Sequence, residues 1–142
     1  MMDDTRITEA LVGRERVPYP GSWLTAPFAE RAVGGRTYAV VADDPGLSAL
    51  AVDRATGQVW LLAEEDEPEL VNSSLPALVA CSRAYAEAAL DAAHLDDEDE
   101  DAGDELTDAL LARLAALDEA ATDDENAFWP VAAEELGYGI TV

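Results

Sequence analysis

The sequence contains no lysine. All 8 of its basic residues are arginine, set against 31 acids for a net charge of −23. That balance argues against direct binding to nucleic acid, whose phosphates require clustered Lys and Arg. It favours a basic partner, which opposite charge would steer inward. A single cysteine, Cys81, rules out an intrachain disulfide. A single histidine, His94, rules out a zinc site built on two imidazoles. His94 closes a helical stretch, where a solvated residue near the helix terminus is the simplest reading. No stretch approaches the roughly 18 apolar residues of a membrane span. No basic segment followed by an apolar one comes after Met1. A soluble, cytoplasmic protein is therefore expected.

Catalytic signatures are equally scarce. The "VGGR" stretch lacks the spacing and the lysine of a phosphate-binding loop. Ser–His–Asp or Cys–His pairings would rest on single residues outside any signature motif. Cys81 has no basic cluster nearby, so it reads as small core filler rather than a reactive thiol. Asp97, Asp99 and Asp101 alternate as calcium-loop ligands do. Ala102, however, stands where the glycine belongs, Gly103 comes one position late, and Asp108 replaces the closing glutamate. Carboxylate pairs such as Glu64/Glu65 and Glu134/Glu135 arise by chance among 31 acids, and none carries a pocket signal for acid–base work. No enzyme activity, cofactor or metal is expected.

What is present reads as one domain over residues 1–142, with 49% hydrophobic residues to build a core. Residues 1–16 show weak helical periodicity at Ile7, Leu11 and Val12. Residues 17–30 hold Pro18, Pro20 and Pro27, which mark an irregular segment or edge, pinned by Trp23 and Phe28. "RTYAVVA" (36–42), "LSALAVD" (47–53) and "QVWLLA" (58–63) read as strands joined by the turn sequences "DDPG" and "RATG". Such short links predict an antiparallel meander. Tyr38 and Val40 fall on one face, with Thr37, Ala39 and Val41 on the other. "ELVN" reads as a short fourth strand, after which Ser73 or Ser74 caps a helix with Pro76 in its first turn. Leu75, Leu78, Val79, Ser82, Tyr85, Ala86 and Ala89 form its apolar stripe. The run "DDEDEDAGDE" (96–105) repels itself and predicts a solvated loop. Asp104 is placed to cap a helix carrying Leu106, Leu110, Leu114 and Leu117. A last helix holds Phe128, Trp129, Val131, Ala132 and Leu136 and stops at Gly137 and Gly139. The fold class is α+β, an antiparallel sheet meander flanked by helices.

The ordered set "GGRTYAVVADDPG", "LSALAVDRATGQVWLL", "VNSSLPALV" and "FWPVAAEELGYG" resembles the SUKH superfamily of bacterial immunity proteins, in particular its fourth group. The likeness spans roughly residues 34–85 and 118–139. The acidic run at 96–105 falls where such proteins vary in length. The resemblance implies a SUKH-like α+β fold and a protein that binds and blocks a cognate toxin domain, often a nuclease or nucleic-acid deaminase. It implies no catalytic residue. It gives structural roles to Gly57 in its turn, to Trp60 as filler of the sheet core and to Asn72, Ser73 and Ser74 at the strand–helix junction. Phe128, Trp129 and Pro130 would dock the last helix. An acidic interaction module or regulatory adaptor with the same fold is the alternative. Toxins that act on nucleic acid carry basic grooves for phosphate. The candidate contacts are therefore acids in turns, Asp43, Asp44, Glu64, Glu65, Asp66 and Glu67, with the 96–105 loop beside them. The competing reading is a set of solvated faces that keep the chain soluble.

Overall fold

In a computed structural model, the chain is described at residues 3–13, 22–44, 48–63, 67–93, 101–124 and 127–137. The predicted meander is present. β3 (Arg36–Asp44), β4 (Ser48–Asp53), β5 (Val59–Ala63) and β6 (Glu69–Asn72) pair antiparallel in chain order. Two strands from the proline-bearing segment, β1 (Ser22–Trp23) and β2 (Glu30–Val33), pair with β3, one at each end of it. The β2–β3 hairpin was not foreseen. Its signal is Gly34-Gly35, where positive φ values of 60° and 81° make a two-residue turn that suits strand twist. Gly57, with φ 79°, closes the β4–β5 turn as expected. Asp53 Oδ1 accepts a bond from the Ala55 amide in that turn at 2.9 Å. Pro45 and Gly46 of the first turn lie outside the described residues, as do His94, residues 96–100 of the acidic run and Gly139.

Helices pack on one face of this sheet. α1 (Asp4–Ala10), α2 (Leu75–Ala92), α3 (Ala102–Leu117) and α4 (Phe128–Gly137) share one buried cluster with Ala39, Val41, Leu50, Val52, Val59 and Val71. A 3₁₀ turn, Glu119–Thr122, links the last two helices. Tyr38, Val40, Ala49, Ala51 and Leu62 make a second buried cluster on the other face, with Trp60 half-buried against it. Trp60 therefore does not fill the core beneath the helices. It pairs with Ala51 on the opposite face, under the Arg36 guanidinium, which lies 5.6 Å from its ring centre.

Two register shifts interrupt the alternation that the sequence suggests. Val40 pairs with Ala51 but Ala42 pairs with Leu50, so Val41 is an inserted residue. Val41 and Ala42 both join the helix-covered core, and Asp43 moves to the face of its partner Ala49. Strict alternation would have buried Asp43 beneath the helices. The second shift makes Val71 the inserted residue, since Val59 pairs with Asn72 and Trp60 with Leu70. Val71 and Asn72 then both point under the helices.

Ser74 caps α2, its hydroxyl accepting from the Ala77 amide at 3.2 Å, with Pro76 in the first turn. The buried face of α2 is Leu75, Leu78, Cys81, Ser82, Ala84 and Ala88, rotated from the expected stripe. The helix touches β6, α3 and α4 at once, so its apolar face is broad. α3 begins at Ala102, before the expected loop ends. Asp101 occupies the N-cap position, and Asp104 and Glu105 sit in the first turn, where their charges favour the helix dipole. Leu117 is half-exposed because the next residue, Asp118, is the one that turns inward. Val12 is exposed, past the end of α1, while Ile7, Leu11 and Phe28 are buried.

The α3–α4 contact has no room for side chains at its glycines. A Cβ on Gly137 would overlap the Thr107 hydroxyl and stand 2.6 Å from the carbonyl oxygen of Gly103. Thr107 Oγ1 also donates to the Ala133 carbonyl at 3.1 Å. Gly137→Ala is therefore expected to destabilise the protein by about 1–3 kcal/mol through overpacking. Helix propensity alone would predict a gain of up to about 1 kcal/mol. The sign of the change in urea unfolding free energy decides between the two.

Candidate partner-binding surface

Charge is distributed unevenly along the sheet. At the β2–β3 hairpin and β4–β5 turn end, arginines are matched to acids. Arg54 donates to Asp4 Oδ1 at 2.6 Å and lies 3.6 Å from Glu30, and Arg36 lies 3.5 Å from the buried Asp53. The Arg54 hydrogen bond holds the Asp4 carboxyl below the usual carboxylate range. The other end of the strands holds Ser22, Asp43, Asp44, Ser48, Ala63 and Glu69, with Glu67 just ahead of β6, and no arginine stands among them. Asp43, Asp44 and Glu67 are thus brought to one end of the sheet. Glu67 is exposed and Asp43 half-buried. Glu64, Glu65 and Asp66 lie outside the described residues, between Ala63 and Glu67.

Sequence reading missed Glu69 and Asp124 at this end. Burial first, and the Asp124 charge second, raise the Glu69 carboxyl above its usual range. Asp124 follows the 3₁₀ turn, which lies against β6. The segment from Asp118 to Asp124 therefore lies against β6, the last strand of the sheet.

The residues carrying the sequence resemblance meet at the opposite end of β6. Asn72 is fully buried. Its amide donates to Asp118 Oδ2 at 3.0 Å and to Cys81 Sγ at 3.5 Å, and its carbonyl oxygen accepts from Trp129 Nε1 at 2.7 Å. Asp118 also accepts from the Ser73 amide at 2.8 Å and the Ser73 hydroxyl at 2.9 Å. Phe128 stacks edge-on to Trp129 with ring centres 5.1 Å apart, and Phe128, Trp129 and Pro130 are all buried. This cluster is a joint between elements. Its polar groups are spent on one another. Cys81 beside it is buried, and burial pushes its thiol up from 9.0 to about 11; the Asn72 bond lowers it somewhat and the Asp118 charge raises it.

No group of three or more His, Cys, Asp or Glu among the described residues is arranged to hold a metal ion. No helix among the described residues is long and apolar enough to cross a membrane. The fold and its surface define an α+β protein with helices on one face of an open antiparallel sheet and acids gathered at one sheet end. Residues 9–135 match the model of the SUKH-4 immunity protein family, and the chain belongs to that family. No curated protein and no solved structure matches it significantly.

Asn72→Ala removes a partner from Trp129 Nε1 and one from Asp118 in a buried setting. It should cost about 3 kcal/mol, on the scale of orphaned buried donors and acceptors. An exposed control such as Ala109→Ser should stay within about 0.5 kcal/mol. Equal midpoints for the two variants in urea unfolding would show that Asn72 is no joint.

Cys81 gives a pH-dependent test. Its folded-state value is raised, so its contribution is complete below about pH 9 and is lost as pH rises toward about 11. Wild type should lose more stability than Cys81→Ala over that interval. The thiol should also resist alkylation at pH 8 until urea unfolds the chain. Rapid labelling of the folded protein would contradict its burial.

Proposed function

We propose that this protein neutralises a cognate bacterial toxin by binding and covering its active site, without chemistry of its own. Membership of the SUKH-4 immunity protein family over residues 9–135 carries the reading. The net charge of −23 supports it, because a toxin that attacks nucleic acid presents a basic phosphate-binding groove. The partner is taken to be a nuclease or nucleic-acid deaminase domain. The contact surface is the acidic end of the sheet, with Asp43, Asp44 and Glu67, the chain positions Glu64, Glu65 and Asp66, and Glu69 added from the structure.

The division of charge along the strands gives this surface an orientation. Arg36 and Arg54 at the far end are paired with Asp53, Asp4 and Glu30, which leaves the acids of the other end to act on a partner. Exposed acids of this kind act on encounter more than on residence. Steered association reaches about 10⁸–10⁹ M⁻¹s⁻¹ at low salt and weakens once screening shortens to about 8 Å at physiological ionic strength.

The test is co-expression with the toxin encoded in the neighbouring gene, followed by stopped-flow association of the purified pair. Survival of the cells and a 1:1 complex are expected. Neutralising Glu64, Glu65, Asp66 and Glu67 together should slow association at low salt by roughly tenfold, with a smaller change in dissociation. Cell death despite abundant folded protein would sink the immunity reading and leave the adaptor alternative. Survival with unchanged association of the four-acid variant would keep the role but move the surface.

A further inference from the structure

An open groove of about 980 Å³ lies between α3, the 3₁₀ turn and the start of α4. Its lining includes Leu111, Ala112 and Ala115 from α3, Asp123 and Asp124 after the turn, and Pro130 from α4. Leu110 and Leu114 turn fully to the core, Leu111 packs half-buried at its margin, and Ala115 lies one turn further along that side of the helix. The alanines make the floor low. Ala112 and Ala115 are exposed and Leu111 is half-buried.

Acids line one side of this apolar floor and continue along its helix. Asp104 and Asp108 precede Leu111 and Ala115 at helical spacing along the same face of α3, and both are exposed. Asp123 and Asp124 stand across the groove. Arg113, the one basic residue of α3, is turned away to Glu87 on α2 at 2.5 Å. The groove also joins the acidic sheet end, since Asp124 is close enough to Glu69 for its charge to act on that carboxyl.

We propose that this groove is the anchoring subsite of the toxin interface, and that it takes an apolar side chain flanked by Arg or Lys from the partner. This rests on the immunity reading above and deepens it. Charge complementarity selects the occupant, because an apolar floor rimmed by Asp123 and Asp124 and continued by Asp108 and Asp104 along α3 fits a basic, apolar segment. A second copy of this chain fits poorly, as its own net charge of −23 would meet those same acids. The division of labour follows the usual anatomy of an interface. A small desolvated apolar centre governs dissociation and the charged rim governs encounter.

The experiment measures binding of the full chain to the purified toxin domain encoded alongside it, by surface plasmon resonance, with thermal melts to verify folding. Ala115→Arg fills the groove and sets a positive charge against the partner's own. It sits at an exposed helical position and should leave the melt unchanged. It is expected to weaken binding at least tenfold, mainly through faster dissociation. Ala55→Arg, exposed in the β4–β5 turn at the other end of the sheet, should bind within twofold of wild type. Asp123→Asn with Asp124→Asn should slow association at low salt and change dissociation less. Wild-type affinity for Ala115→Arg would overturn the groove while leaving the immunity role intact. Absence of any binding by wild type would remove the immunity reading, and the groove assignment with it. A dimer of the chain alone, broken by Ala115→Arg in sedimentation, would give the groove to a second copy and overturn the proposal.

Discussion

The fold depends on one buried amide. Asn72 offers two donors and an acceptor inside an apolar core, where each costs free energy unless it is matched. Its three partners come from three separate elements: Cys81 on α2, Asp118 after α3 and Trp129 on α4. Only a narrow set of positions for those elements satisfies all three bonds together. The apolar core supplies most of the driving force, but it is non-directional. Asn72 supplies direction. Because Asp118 also grips Ser73, the chain leaving α3 is held beside β6.

Bulges decide where the polar residues of the sheet go. The first turns Asp43 away from the helix-covered core, and the second turns Asn72 into it. Neither can be read from hydrophobic alternation, which assumes a constant period of two. That limit explains what the sequence disclosed. The strands of the meander, the Ser74 cap, the Gly57 turn and the final helix were legible because each depends on local chemistry. Asp118 was not, because its partners Asn72 and Ser73 lie 46 and 45 residues away. It also looked like one more acid in an acidic chain. The face taken by Trp60 was illegible for a related reason, since both faces of the sheet are apolar. Of the acids at one sheet end, Asp43, Asp44 and Glu67 stand out in the sequence as turn acids. Glu69 and Asp124 were missed because their proximity is created by the chain folding back along β6.

Charge and packing are kept apart in this molecule. A net charge of −23 opposes compaction through self-repulsion. The arginines answer that repulsion at one end, where Arg54 ties α1 to the β4–β5 turn and to β2 through Asp4 and Glu30. The opposite end of the sheet keeps its negative charge. Glu69 is the local instance of this arrangement, a half-buried carboxyl beside Asp124 whose ionised form is disfavoured in the free protein. A cation placed there by a partner would stabilise that ionised form. Binding near the titration range of Glu69 would then release protons.

β6 joins the two halves of this design. Glu69 at its first residue belongs to the acidic end, and Asn72 at its last residue belongs to the buried joint. The separation along the strand is about 10 Å, from about 3.3 Å per residue. That distance exceeds the reach of a hydrogen bond but falls within the reach of packing, so the strand transmits position without sharing polar contacts. Substitutions among the exposed acids leave every bond of Asn72 in place. Substitutions at Asn72, Asp118 or Trp129 would shift β6, the 3₁₀ turn and α4 together, and with them the wall of the groove that faces α3. A surface that must match a particular partner can therefore change sequence freely, provided the joint beneath it does not.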